Sequence, residues 1–237
     1  MREEWTSRTA ALLGDDAVTR LAKATVAVFG LGGVGSYTVE ALARAGVGHL
    51  ILVDGDTVAE SNRNRQLCAL TSTVGQSKAE VIAARVRDIN PACVVEAHTL
   101  FYLPPDGVGL IDGCDYVADA VDTVKAKLGL ALECQEKGIP LISAMGCGNK
   151  LDATAFRVAD ITKTQVCPLC RVMRRELKTH GVDHLKVVYS EEKPRTPQGT
   201  DDLRTPASVS FVPSAAGLIM AGEMIKDIGW AIKPELA

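Results

Sequence analysis

With 237 residues and 47% apolar content, the chain is long enough for one large α/β domain with a substantial core. A net charge of −3 argues against broad nucleic-acid coating, DNA included, although it leaves room for a local patch, and 4% aromatics leave no stacking platform for bases. No apolar stretch reaches membrane-spanning length, and the charged first residues lack a leader pattern, so a cytoplasmic location is expected.

Residues 1–21 read as an N-terminal helical arm. Thr25–Phe29 is a short, nearly all-apolar run, as expected of a parallel strand buried on both faces. Gly30, Gly32 and Gly35 follow in dinucleotide-fingerprint spacing, with Gly33 between them. A helix over about 34–44 then points its free N–H groups at an anion. A second buried strand, His49–Val53, ends at Asp54, about 20 residues beyond the loop, where an acid normally holds ribose hydroxyls. Asp56, just past it, is a further candidate nucleotide contact.

Glycines and acid alone do not separate NAD from ATP. Asn62-Arg63-Asn64-Arg65-Gln66 brings two guanidinium groups and three amides past the second strand. Ser77 and Glu80 then have capping-box spacing and open a helix to about Ile89, with Ile82, Val86 and Ile89 on its apolar face. Lys78 falls in the first turn, where the macrodipole disfavours a cation and a bound phosphate would compensate it. Arg65 and Lys78 together suit a triphosphate better than a diphosphate. A strand at Val94 is expected before the next one, Tyr116–Ala118, which ends at the switch-point crevice facing the glycine loop, with Asp119 and Asp122 at its carboxyl end. One carboxylate there suits Mg²⁺ held with substrate phosphates. Asp122 is the favoured ligand, because Asp119 can cap the helix expected near 124. Gly138 marks that helix's end, before a strand near Pro140.

The second half departs from clean alternation. A strand is expected at Thr154–Val158, a helix at Pro168–Thr179 and a strand at His184–Tyr189. The Pro-, Gly- and charge-rich loop 191–207 reads as a mobile lid, followed by a strand Val209–Val212 and a closing helix Ser214–Ile228. Arg171, Arg174, Arg175 and Lys178 share one helical stripe that either is a solvated face or meets RNA phosphates. Leu169, Val172, Met173 and Leu177 form the apolar side of that helix. The closing helix is apolar nearly all round and needs burial in the core or in a homodimer interface.

In these residues the chain resembles the ThiF/MoeB/HesA family, relatives of the ubiquitin-activating enzymes, which adenylate a carboxylate with MgATP. The resemblance covers essentially all of residues 1–237 as one adenylating domain, with a nucleotide half (22–147) and a substrate and dimerisation half (148–237). It implies a Rossmann-like, doubly wound, mostly parallel sheet with a C-terminal antiparallel and helical extension. It assigns the nucleotide loop to Gly30–Gly35, the ribose acid to Asp54, the arginine–glutamine pair to Arg65 and Gln66, and the remaining contacts to Asn62 and Lys78. Asp122 takes the magnesium position, and Arg8 matches an arginine that reaches into the partner subunit's site.

Arg8-Thr9-Ala10, Ile89-Asn90-Pro91, Val166-Cys167-Pro168-Leu169, 172–177, 186–190 and 210–214 are most similar to one branch of the family. That branch activates the carboxylate of threonylcarbamoyladenosine in tRNA and closes a ring with net loss of water. The resemblance also raises a cysteine desulfurase or sulfur-acceptor partner, which none of these residues shows. The rival within the family adenylates the Gly-Gly end of a ubiquitin-like sulfur carrier. That branch's pattern has two Cys-x-x-Cys pairs around zinc, whereas the seven cysteines here make only one, Cys167 and Cys170. Structural zinc is therefore not expected, the thiols read as reduced, and a monovalent cation site stays open. A nicotinamide-dependent oxidoreductase would leave Arg65 and Lys78 unexplained, and a scaffold that keeps the site without turnover is the remaining alternative.

Overall fold

Strand β1 (Thr25–Phe29) lies inside a seven-stranded sheet together with β2 (His49–Val53), β3 (Val94–His98), β4 (Tyr116–Asp119), β5 (Leu141–Ala144), β6 (Phe156–Asp160) and β7 (Lys186–Ser190). The computed structural model describes residues 4–198 and 205–232. Strand order is β3-β2-β1-β4-β5-β7-β6, and every pair is parallel except β6 with β7. The chain runs outward from β1 through β2 to β3, then crosses back to place β4 on β1's other side. This reversal opens a crevice at the carboxyl ends of β1 and β4, where open α/β sheets bind ligands.

The helices are α1 (Ser7–Leu13), α2 (Asp15–Leu21), α3 (Gly35–Ala45), α4 (Lys78–Ile89), α5 (Val124–Lys137), α6 (Pro168–Thr179) and α7 (Phe211–Gly229). Alternation along β1 divides the core. Val26 and Val28 face a layer containing Leu42 of α3, Ile82 of α4 and Met220 of α7, whereas Ala27 and Phe29 face Leu130 of α5. Gly217 lets α7 lie directly on α3, since a Cβ there would meet Val34 O at 2.2 Å, and Thr38 Oγ1 donates to Gly217 O at 3.1 Å.

Several expectations are corrected. Residues 209–210 form no strand, and the closing helix starts at Phe211, because Pro213 cannot donate to a ladder but loses nothing in a helix's first turn. The strand expected at 154–158 runs from 156 to 160, after a 3₁₀ turn (Ala153–Ala155) capped by Asp152. The Ser77–Glu80 capping box does not form: Ser77 caps nothing, and its hydroxyl lies 2.9 Å from that of Thr99. On α6, Val172 is exposed and Cys170 is buried in its stead. Arg174 leaves the cationic stripe to cap the 161–164 turn, donating to Ile161 O (3.1 Å) and Thr164 O (2.9 Å). The described ends of the 191–207 loop are tied to the segment before β6: Arg195 N–H donates to Asn149 O at 2.8 Å, and Ala207 N–H to Asn149 Oδ1 at 2.7 Å. The remainder of that loop, 199–204, lies outside the described residues.

Candidate active site

The turn after β1 shows why its glycines are needed. Gly30 has φ +82°, and a Cβ there would sit 2.7 Å from Ala120 O. A Cβ on Gly35 would fall 1.7 Å from Gly30 O, so α3 could not begin so close to the strand. Asp54 locks the same turn from β2. Its Oδ2 accepts from Leu31 N–H (2.6 Å) and its Oδ1 from Asp56 N–H (2.8 Å). Ser36, which no sequence signal marked, accepts from Leu67 N–H (3.2 Å) and donates to Gly32 O (2.6 Å), joining the loop to the 62–68 segment.

A cavity of about 640 Å³ opens over this turn. Gly30, Gly32, Gly33, Asp54, Asp56, Asn62, Arg65, Gln66, Lys78 and Asp122 all line it. Gln66 is buried under the loop, its Nε2 lying 3.6 Å from where a Gly32 Cβ would be. Asn62 Oδ1 accepts from Ala59 N–H at 3.1 Å and so shapes the turn that presents Arg65. Arg65 itself is steadied by Ser61 O (2.9 Å) and Asn64 Oδ1 (2.8 Å).

Gly35 and Arg8 do not line the cavity. Gly35 acts underneath, through helix–strand packing. Arg8 is exposed on α1, and the arm preceding it packs at the far end of α3, where a Gly46 Cβ would meet Thr6 at 3.6 Å. Lys78 is not uncompensated as its helix position implied: its Nζ lies 2.7 Å from Asp56 Oδ2.

The two candidate metal carboxylates separate by environment. Asp119 is fully buried and bound to Lys127, so it neither caps α5, whose N-cap is Thr123, nor reaches the cavity. Asp54 is fixed by the N–H groups of Leu31 and Asp56 at the ribose end of the turn, and Asp56 is paired with Lys78. Exposed Asp122 is the carboxylate left on the cavity wall, and it fits a hard cation shared with phosphate oxygens. Among the described residues, no three His, Cys, Asp or Glu side chains gather in a metal-holding cluster.

Sequence reasoning missed part of the wall. Phe101, 66% exposed, lines the cavity and covers Gly55, where a Cβ would lie 2.6 Å from its ring. One such ring suffices to present a flat apolar face to a base, whatever the overall aromatic content. Cys147, Gly148, Thr205, Pro206 and Pro213 close the other parts, brought from distant segments without any local signal. Burial pushes the Cys147 thiol up to about 12, which keeps it protonated and makes it a poor thioester nucleophile. Cys167 is drawn toward thiolate by donation from the Cys170 thiol and by backbone N–H groups, while Cys170 is pushed up.

The ThiF family profile matches residues 6–235. The chain belongs to the ThiF family. Within that family it is 45% identical over 237 residues to the tRNA threonylcarbamoyladenosine dehydratase of Bacillus subtilis, covering 94% of this chain and 93% of that protein. The crystal structure of Escherichia coli tRNA N6-threonylcarbamoyladenosine dehydratase in complex with AMP superposes with a TM-score of 0.90 at 36% identity, covering 97% of both chains. A second structure of that protein, in complex with ATP, gives 0.89 at 35% identity, again covering 97% of each chain. The ThiF fold thus accounts for the whole sheet, including the antiparallel β6–β7 pair.

Proposed function

We propose that the chain is an ATP-dependent dehydratase that converts threonylcarbamoyladenosine in tRNA to its cyclic form. The observation that carries this reading is a glycine-turn cavity walled by Arg65, Lys78 and Asp122, in a chain similar along its whole length to dehydratases of that name. A carboxylate oxygen of the nucleoside attacks the α-phosphorus of ATP, and pyrophosphate leaves. A nucleophile within the same side chain then attacks the activated acyl carbon and loses its proton, and AMP leaves. The net result is loss of one water from the nucleoside.

Each residue's part follows from its position. Asp54 and the turn N–H groups hold the nucleotide, with Phe101 against the base. Arg65 and Lys78 stabilise charge building on the α-phosphate and the departing pyrophosphate. Asp122 would hold Mg²⁺, which would supply Lewis-acid polarisation of phosphate oxygens when bound. No enzyme thiol takes part.

The chain is also read as a single adenylating unit working as a homodimer in the cytoplasm. Phe211 (51% exposed) and Leu218 (49%) give α7 an uncovered apolar face, and Arg8 is free to enter a partner's site. Exposed Arg171, Arg175 and Lys178 on α6 are the cations left to meet tRNA phosphates. Among the described residues no helix is long and apolar enough to cross a membrane. Incubation with MgATP and tRNA bearing threonylcarbamoyladenosine, followed by nucleoside mass spectrometry, tests the reading. Loss of about 18 mass units, with AMP formed only in the presence of that tRNA, is expected from the dehydration chemistry. An unchanged nucleoside would overturn it.

A further inference from the structure

Lys127 stands among the largest fully buried side chains of the described residues, 1% exposed against 0% for its partner Asp119. It sits in the first turn of α5, where the macrodipole opposes a cation. Its Nζ lies 3.2 Å and 3.1 Å from the two Asp119 oxygens, 3.2 Å from Ser143 Oγ and 2.6 Å from Ala144 O. A buried ion pair rarely improves on well-packed apolar side chains, so its presence asks for a geometric reason.

That reason lies in what the strands do next. Asp119 and Ser143 are register partners at the ends of β4 and β5. Just past the ends of the two strands the chains bond away from each other: Ala120 N–H donates to Phe29 O (2.8 Å), and Met145 N–H to Val188 O (2.8 Å). The ladder between them has ended, and the Lys127 ammonium spans the opening. On one side Asp119 Oδ1 accepts from Val121 N–H at 3.1 Å, fixing the turn that carries Asp122. On the other, Ala144 leads directly into cavity-lining Cys147 and Gly148. Ser143 Oγ donates to Asp119 Oδ2 at 2.5 Å and completes the cluster.

We propose that Lys127 is a positioning residue for adenylation: by holding the Asp119 carboxylate and the Ala144 carbonyl together, it sets the spacing of the two cavity-lining loops that follow β4 and β5. The inference rests on the adenylating role assigned to Asp122. It concerns the triphosphate end of the site, where Asp122 stands, rather than the ribose end at Asp54.

The test is the double variant Lys127→Met/Asp119→Asn, which removes both charges at similar volume, compared with the wild-type chain. Calorimetric titration with AMP should give a Kd within about threefold of wild type, while the gain in ATP affinity on adding Mg²⁺ should disappear. With modified tRNA, kcat should fall about 100-fold, the usual cost of misplacing a reacting group by an ångström. A folded double variant with wild-type kcat and an intact Mg²⁺-dependent gain would overturn the inference. If that variant does not fold, Ser143→Ala keeps both charges and removes the two bonds its hydroxyl makes, to Lys127 and to Asp119. Its kcat should drop about tenfold at unchanged AMP affinity, and an unchanged kcat would overturn the inference equally. Failure of the wild-type chain to dehydrate the nucleoside would instead reject the substrate reading, leaving the nucleotide titrations to decide the role of Lys127.

Discussion

The Lys78 ammonium lies 2.7 Å from Asp56 Oδ2, with 6% of the lysine side chain exposed against 52% of the aspartate's. A buried cation is thus held at the cavity by a carboxylate that water already solvates. An arriving phosphate can share that cation without leaving a carboxylate stranded in the interior, which would be costly.

Lys78→Met should therefore act on the pyrophosphate end. We expect kcat for dehydration to fall by about 10²–10³, as when one preorganised charge donor is removed, with AMP affinity nearly unchanged. Pyrophosphate release with modified tRNA, paired with an AMP titration, measures both. An equal loss of AMP affinity would place Lys78 elsewhere along the nucleotide.

Asp122→Asn removes the carboxylate left on the cavity wall after Asp54, Asp56 and Asp119 are accounted for. Turnover should drop at least about 100-fold, and half-maximal activity should need more Mg²⁺. The thermal transition should not move, because the side chain is exposed. Wild-type Mg²⁺ dependence in this variant would exclude Asp122 as the metal ligand.

Gly35→Ala tests the turn itself. Its new methyl would lie 1.7 Å from Gly30 O, so backbone must shift. A loss of about 3 kcal/mol in unfolding free energy is expected from such overpacking, together with loss of nucleotide binding. Urea denaturation monitored by circular dichroism measures it. A variant as stable as wild type would show that α3 can retreat from β1.

Glu40 on α3 predicts a pH dependence. Burial alone would raise its carboxyl, but Arg85 and Arg44 outweigh that and hold it below the ordinary value of 4.5. Arg85 meets it through two bonds, of 2.6 Å and 2.9 Å, and Arg44 through one of 2.8 Å. A depressed carboxyl stabilises the fold above its unfolded pKa and ceases to do so as pH falls through the folded one. Glu40→Gln should cost roughly 1 kcal/mol at pH 7, and the gap to wild type should close as pH drops below that range. Denaturation curves at pH 7 and pH 3 suffice, and a gap that stays constant would refute the assignment.

Much of the site was legible because its parts are close together in sequence. Gly30–Gly35, Asp54 and Lys78 occupy successive strand ends and helix starts, whose positions follow from apolar periodicity and glycine spacing, and Asn62–Gln66 fill the turn between the second strand and α4. The helix at Pro168–Thr179 was equally plain, since proline at the first helical position costs nothing there. Capping at Ser77 was misread because the same hydroxyl had a partner at Thr99 that spacing does not reveal. Val209–Val212 looked like a strand because β-branched residues favour one, yet the chain there enters a helix.

By itself, then, the sequence determined where the backbone turns and which carboxylates and cations could stand at those turns, because both are local properties of the chain. Only the tertiary structure decided which of them remain available. Asp119 went to Lys127, Asp56 to Lys78 and Arg174 to the 161–164 turn, while Phe101 and Pro206 arrived from distant segments to close the cavity. Burial forces every such charge to find a partner, and the fold determines which one it reaches.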